Sequence, residues 1–398
     1  MSEHQIVIIG ASFAGLSAAH GLLKTVLPTL SGKQFKVVQI APNEEFFWKI
    51  GAPRVIVDPA SLPLEKALLP IAPGFKKYTP EQYEFVKAYV TSIDPASKTV
   101  NTNTSAAIRY DSLIIASGTN FATPIWTVSD GSEPLKNALA DLHQRLPNAE
   151  SVLVGGGGAA GVETAGELGQ VYGNKKEITI LSGTTGLLAS LSNPKFGQDA
   201  AARLQRMGVK VVNDNVRVVE HTMANGKDVL KLSNGETKTV DVYIEATGDK
   251  PNTKFVPQEW LDAKQKVKAD AQTLRLNVPG VTNVYVFGTV GSYSNGSVVD
   301  VQFAKGALLE SVRSDLSGAG KSNAKKHPDK FADSDTEPGP RTKNIYKKIT
   351  SDMMFVPIGP TQGVGAAFGW KVPSFLVKFI KSKDFMIGNA AKTIEGTA

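Results

Sequence analysis

The chain contains one device twice. Gln5-Ile6-Val7-Ile8-Ile9 is an apolar, β-branched run that meets the glycine-rich turn Gly10-Ala11-Ser12-Phe13-Ala14-Gly15, after which Leu16-Ser17-Ala18-Ala19 takes up helical periodicity. About 145 residues on, Ser151-Val152-Leu153-Val154 leads into GGGGAAGVETAGELG, where Gly156, Gly158 and Gly161 give the full Gly-x-Gly-x-x-Gly spacing. Such a turn lets the backbone approach a pyrophosphate and aims a helix N-terminus, with its unpaired N–H groups, at the negative charge. Phe35–Ile40 and Glu177–Leu181 read as the strand that follows each copy. The pattern predicts an α/β chain with two Rossmann-like dinucleotide-binding domains, one site per copy.

Ser12 stands where the second copy has Gly158. A Gly-x-Ser-x-Gly turn between strand and helix is also the form of a hydrolase nucleophile. That elbow normally follows several strands, whereas this one follows the first strand and is echoed at 156–161, so lining a phosphate loop is the preferred role for Ser12.

Composition narrows the chemistry. The sequence has no cysteine, which removes dithiol exchange, thiolate nucleophiles, iron–sulfur clusters and Cys-ligated zinc. Its five histidines are scattered without ligand spacing, so no metal is expected. Electron transfer then needs a bound cofactor, and two dinucleotide sites suggest a flavin and a nicotinamide, FAD with NAD(P)H. Three further strands end in small residues and suit the walls of such sites: Tyr110–Thr119 through Ser117 and Gly118, Asp241–Thr253 through Gly248, and Asn283–Thr289 through Gly288 and Thr289. At 398 residues the chain suits two or three domains.

In the order of these motifs the chain resembles the two-dinucleotide-binding-domain flavoproteins. Within them it resembles the apoptosis-inducing-factor family, in its AMID or ferroptosis-suppressor branch of NAD(P)H:quinone oxidoreductases. The residues that carry the resemblance are GASFAG at 10–15, Gly51-Ala52-Pro53-Arg54, ASGT at 116–119, GGGAAGVETAGEL at 156–168, ATGDKPNT at 246–253 and the block FVPIGPTQGVGAAFGWKVPSFLVKFIKSKDF at 355–385. The resemblance implies FAD along the first loop with Arg54 near its pyrophosphate, and NAD(P)H on the second loop with Glu163 beside the nicotinamide end. It also implies Lys381 near the flavin and a quinone-like acceptor. Lys49, after the aromatic cluster Phe46-Phe47-Trp48, is a further candidate near the flavin.

The chain departs from that pattern. At the end of the second strand an acid for the FAD ribose is expected and Ala41 is found, leaving Glu44 or Glu45 to substitute. Gly288-Thr289 replaces the expected Gly-Asp that holds the ribityl chain. At the second site the position that reads a ribose 2'-hydroxyl is Ser182, which does not separate NADH from NADPH. These departures keep two other functions open: a nucleotide-binding protein of the same fold with weakened flavin binding and a non-redox role, and a flavin-dependent oxidase or monooxygenase acting on a dedicated metabolite.

The expected organisation is an FAD domain at 1–121 and 247–316, an NAD(P) domain at 122–246, a linker or long loop at 317–345 that is rich in Gly, Ser, Pro, Asp and Lys, and a C-terminal α+β module at 346–398. Val372, Phe375, Leu376, Phe379 and Ile380 recur at helical spacing with Lys371, Lys378, Lys381 and Lys383 between them. Such an amphipathic basic helix either lies on an anionic membrane through 371–387 or packs its apolar stripe on the core. No signal peptide or apolar run of spanning length is apparent, and Ser2 stands where myristoylation needs glycine. The expected setting is intracellular, cytoplasmic or peripheral on an organelle membrane. The net charge of +7 comes with no nucleic-acid motif, so the expected partner is a small-molecule acceptor rather than nucleic acid.

Overall fold

A computed structural model describes residues 3–104, 107–318 and 344–397. Strands β1 (Glu3–Ile9), β2 (Gln34–Ala41), β3 (Tyr83–Lys87) and β4 (Ser112–Ile115) join Val284–Val286 in a parallel sheet. Its order is Val284–Val286, β4, β1, β2, β3. Ile6 and Ile8 enter the core on one face, Val7 and Ile9 the core on the other. Both faces are covered, which is why β1 reads as a continuous apolar run rather than an alternating one.

A second parallel sheet comes wholly from residues 151–245. Strands β5 (Ser151–Gly155), β6 (Glu177–Leu181), β7 (Val209–Val212) and β8 (Val242–Glu245) lie in the order β7, β6, β5, β8. The same rule governs it: Val152 and Val154 join the large core, Leu153 a smaller one with Leu230 and Tyr243. Helices α1 (Phe13–Gly21) and α3 (Ala159–Val171) leave β1 and β5 by the two glycine turns. Between them in sequence is the short helix α2 (Ala52–Val57), and α4 (Val298–Leu316) packs on α1 with Leu309 against Gly21.

The C-terminal part is an antiparallel meander, Met354–Pro357, Gly363–Ala367 and Trp370–Val372, followed by helical turns at Ser374–Val377 and Lys378–Ser382 and a last helix at Asn389–Glu395. It is fastened to both halves. Ile358 lies so close to Gly166 of α3 that a Cβ there would come within 2.7 Å of its backbone. Trp48 donates its indole N–H to the Phe385 carbonyl at 2.8 Å, and His20 Nε2 donates to the Ile394 carbonyl at 2.5 Å.

Two expectations are corrected. Val372 belongs to a strand, so the apolar stripe begins after Pro373 and runs over the contiguous helical turns Ser374–Val377 and Lys378–Ser382. That stripe does not pack on the core: Phe375, Leu376, Phe379 and Ile380 are exposed, whereas Val377, Ser382 and the Lys381 side chain turn inward. The expected linker at 317–345 lies, over 319–343, outside the described residues.

Candidate functional site

The two turns are built alike. Gly10 has φ +114° and presses on the Ala116 carbonyl, and Gly15 leaves no space for a Cβ beside the Gly10 carbonyl. In the second copy Gly156 has φ +124° and presses on the Ala246 carbonyl, and Gly161 abuts the Gly156 carbonyl. Only glycine fits these four positions. The third position is permissive: a Cβ added at Gly158 would meet no atom within 4 Å, so a side chain at Ser12, its counterpart, is sterically tolerated.

Around the first turn lies a cavity of about 500 Å³. It gathers Gly10, Ser12, Phe13 and Ala14 of the loop, Lys49, Ser117 and Gly118 after β4, and Thr289. Gly15, Arg54, Gly248 and Gly288 do not line it. Ser12 is the N-cap of α1 yet makes no capping hydrogen bond, and the buried Thr119 hydroxyl in the cavity wall has no partner. A helix start without a capping acceptor and an orphaned hydroxyl beside a glycine-bounded loop fit a diphosphate flanked by polar groups, as FAD presents. No histidine meets Ser12 among the described residues, which leaves the nucleophile without a base.

The missing acids are partly replaced. Ala41 lines the cavity without a polar group. Of the two candidate substitutes, Glu44 turns outward to Lys87 at 2.7 Å, whereas Glu45 lines the cavity together with Asp130. Asp130 accepts a hydrogen bond from Tyr89, and Asn43 ties its loop down by bonding Val128 and Gly131. No sequence signal marks Asn43, Tyr89, Asn120 or Asp130, because they come from loops that only the fold brings together, whereas Thr119 closes the ASGT stretch at 116–119.

At the second turn, α3 begins at Gly158, again with no side-chain cap. Ser182 ends β6 beside Gly157, and its hydroxyl closes a local turn by donating to the Thr184 carbonyl at 2.6 Å. No carboxylate occupies 182–186.

Two acids project from α3 one turn apart. Glu163 meets Lys381 at 2.6 Å, and Lys381 also donates to the Phe355 carbonyl at 3.2 Å. Burial pushes the Glu163 carboxyl above its usual range, opposed by the Lys381 ammonium. The two residues assigned to chemistry, 218 positions apart, therefore touch. Glu167 holds Arg54 in a two-pronged pair at 2.8 and 2.9 Å, and Arg54 donates further to the Ser382 and Lys383 carbonyls. Arg54 is thus committed to joining α2, α3 and the C-terminal part, away from the cavity that holds the first turn. Nothing local marks that partnership, which spans 113 positions.

Comparison with known proteins supplies the family. Residues 4–305 match the model of the pyridine nucleotide-disulphide oxidoreductases. Over 396 residues the chain is 34% identical to Oxidoreductase ptaL of Pestalotiopsis fici, covering 98% of this chain and 99% of the relative. It is 24% identical over 394 residues to human Ferroptosis suppressor protein 1, covering 98% and 95%. The sulfide:quinone oxidoreductase of Aquifex aeolicus shares the fold with a TM-score of 0.62 at 18% identity, over 79% of this chain and 77% of that one. The chain belongs to the pyridine nucleotide-disulphide oxidoreductase family, in the branch of the apoptosis-inducing-factor homologues and ferroptosis suppressors, as an oxidoreductase that uses FAD and NAD(P)H.

Proposed function

We propose that the chain takes hydride from NAD(P)H onto FAD and passes the electrons to a quinone-like acceptor approaching from the C-terminal side. The absence of cysteine is one support: the dithiol relay that names the family has no residues here, so electrons leave the flavin for the acceptor directly. The observation that carries the reading is the Glu163–Lys381 pair, which joins the helix of the second turn to the C-terminal part.

FAD, when bound, supplies two-electron storage between donor and acceptor. The chain does the rest. The first turn and α1 bind the diphosphate, and the second turn with α3 binds that of NAD(P)H. Reducing a quinone to its hydroquinone takes two electrons and two protons, while NAD(P)H brings two electrons and one proton as hydride. The second proton comes from solvent through Lys381 and Glu163, whose 2.6 Å contact suits proton movement. A peripheral membrane contact fits the same picture. Trp370, Phe375 and Phe379 are 82%, 60% and 70% exposed, with Lys371, Lys378 and Lys383 among them, on the part of the chain that bears Lys381.

The test is Lys381→Ala assayed with a water-soluble quinone. Quinone turnover falls about 100-fold while flavin reduction by NAD(P)H is kept, the scale of a lost proton donor. Unchanged quinone turnover removes Lys381 from the role. Wild-type protein that consumes oxygen with a metabolite and ignores quinone replaces this reading with the oxidase one.

A further inference from the structure

Lys49 is half-buried and lines the cavity, with no ion-pair partner or hydrogen-bond acceptor for its ammonium among the described residues. It lies 5.6 Å from the Phe121 ring centre, and Asp249 acts on it through space only. An unpaired ammonium held on a cavity wall, partly withdrawn from water, is suited to negative charge arriving with a ligand.

The sheet order indicates which part of a ligand that is. The phosphate loop follows β1, in mid-sheet. To one side are the ends of β2 and β3, with Ala41, Asn43 and Tyr89; to the other are the ends of β4 and Val284–Val286, with Thr119, Asn120 and Thr289. Lys49 belongs to the second side by its contact with Phe121, the residue after Asn120. Through neighbouring Trp48, which bonds the Phe385 carbonyl, it also adjoins the region of Lys381. Lys49, Thr119, Asn120 and Thr289 offer donors and no carboxylate. The two carboxylates on the cavity wall are engaged elsewhere, Asp130 with Tyr89 and Glu45 within 3.8 Å of Lys136.

We propose that Lys49, in this donor-rich wall, selects the reduced form of the flavin, so that the protein holds reduced FAD more tightly than oxidised FAD. Hydride transfer adds two electrons and one proton to a neutral ring and leaves one negative charge in it. A fixed cation beside the ring stabilises that product over the starting state. The inference rests on the function proposed above and assigns to Lys49 a share in setting the potential that determines which acceptors can be reduced.

The test is the midpoint potential of bound FAD, read against a reference dye during slow enzymatic reduction without oxygen. Wild-type protein is expected to show a potential above that of free FAD, equivalent to about tenfold tighter holding of the reduced form. Lys49→Met and Lys49→Gln lose that preference, and Lys49→Arg retains it. Met and Gln variants that bind FAD at the wild-type potential overturn the assignment of Lys49 alone. Wild-type protein that takes up no FAD overturns the proposed function, and this inference with it.

Discussion

At the scale of single residues, the two glycine turns separate positions that hold the fold from positions that face a ligand. Gly10 and Gly156 have positive φ and press on carbonyls, so a side chain at either damages the turn itself. Gly158 has φ −75° and open space in front of it. Gly158→Val is therefore expected to fold with a stability change under about 1 kcal/mol and to retain FAD, while NAD(P)H affinity falls by more than about tenfold as the isopropyl group fills the phosphate's space. Titration with NADPH and NADH followed by protein fluorescence checks this. His20 offers a pH test. Burial, with Lys24, Lys77 and Lys305 nearby, lowers its pKa to about 4, against an ordinary 6.5 in the unfolded chain. Between those values the unfolded state binds more protons, so stability is present above pH 6.5 and is lost as pH falls toward 4. From pH 7 to pH 5 this amounts to about 2 kcal/mol. Urea midpoints at the two pH values measure it, and His20→Gln removes that component. The glycines are legible in sequence because steric exclusion acts locally; the charge partners are not, because burial and distant neighbours decide them.

Among elements, the strands are the most legible part. Glu177–Leu181 has the bounds its apolar run predicts, and Phe35–Ile40 extends by one residue at each end. The C-terminal stripe is less so, because Pro373 ends the strand Trp370–Val372 and restarts the chain as a helical turn, a break that helical spacing alone does not reveal. Arg54 with Glu167 ties α2 to α3, both side chains nearly fully buried, and Arg54 adds the C-terminal part through the Ser382 and Lys383 carbonyls. Arg54→Met leaves a buried unpaired carboxylate and is expected to lower stability by about 3 kcal/mol or more, with Arg54→Met/Glu167→Met recovering most of it, since an apolar pair has no charge to desolvate. Denaturant unfolding of the two variants decides between a pair that matters by its charge and one that matters by its volume.

In the whole molecule, two parallel sheets each present a helix N-terminus, and the C-terminal part bridges them while holding an apolar, lysine-edged face outward. The repeated turn makes the two-site α/β plan readable from sequence. Part of the cavity wall is not readable, since Asn43, Tyr89, Asn120 and Asp130 converge on it only through the folded loops. If the outward face meets a membrane, the protein cosediments with vesicles containing anionic lipid. Phe375→Ser/Phe379→Ser then weakens binding by about 100-fold, from the apolar area that no longer leaves water. Equal sedimentation of both proteins assigns the face another role. Hydride passing between the two sites is the step that joins the halves into one enzyme. Its most direct test is the visible absorption spectrum of the purified protein during anaerobic addition of NADH or NADPH. Flavin bands that are present at the start and bleach in proportion to added nucleotide are the predicted result. A colourless protein that takes up no FAD, or flavin bands that neither nucleotide bleaches, contradicts it.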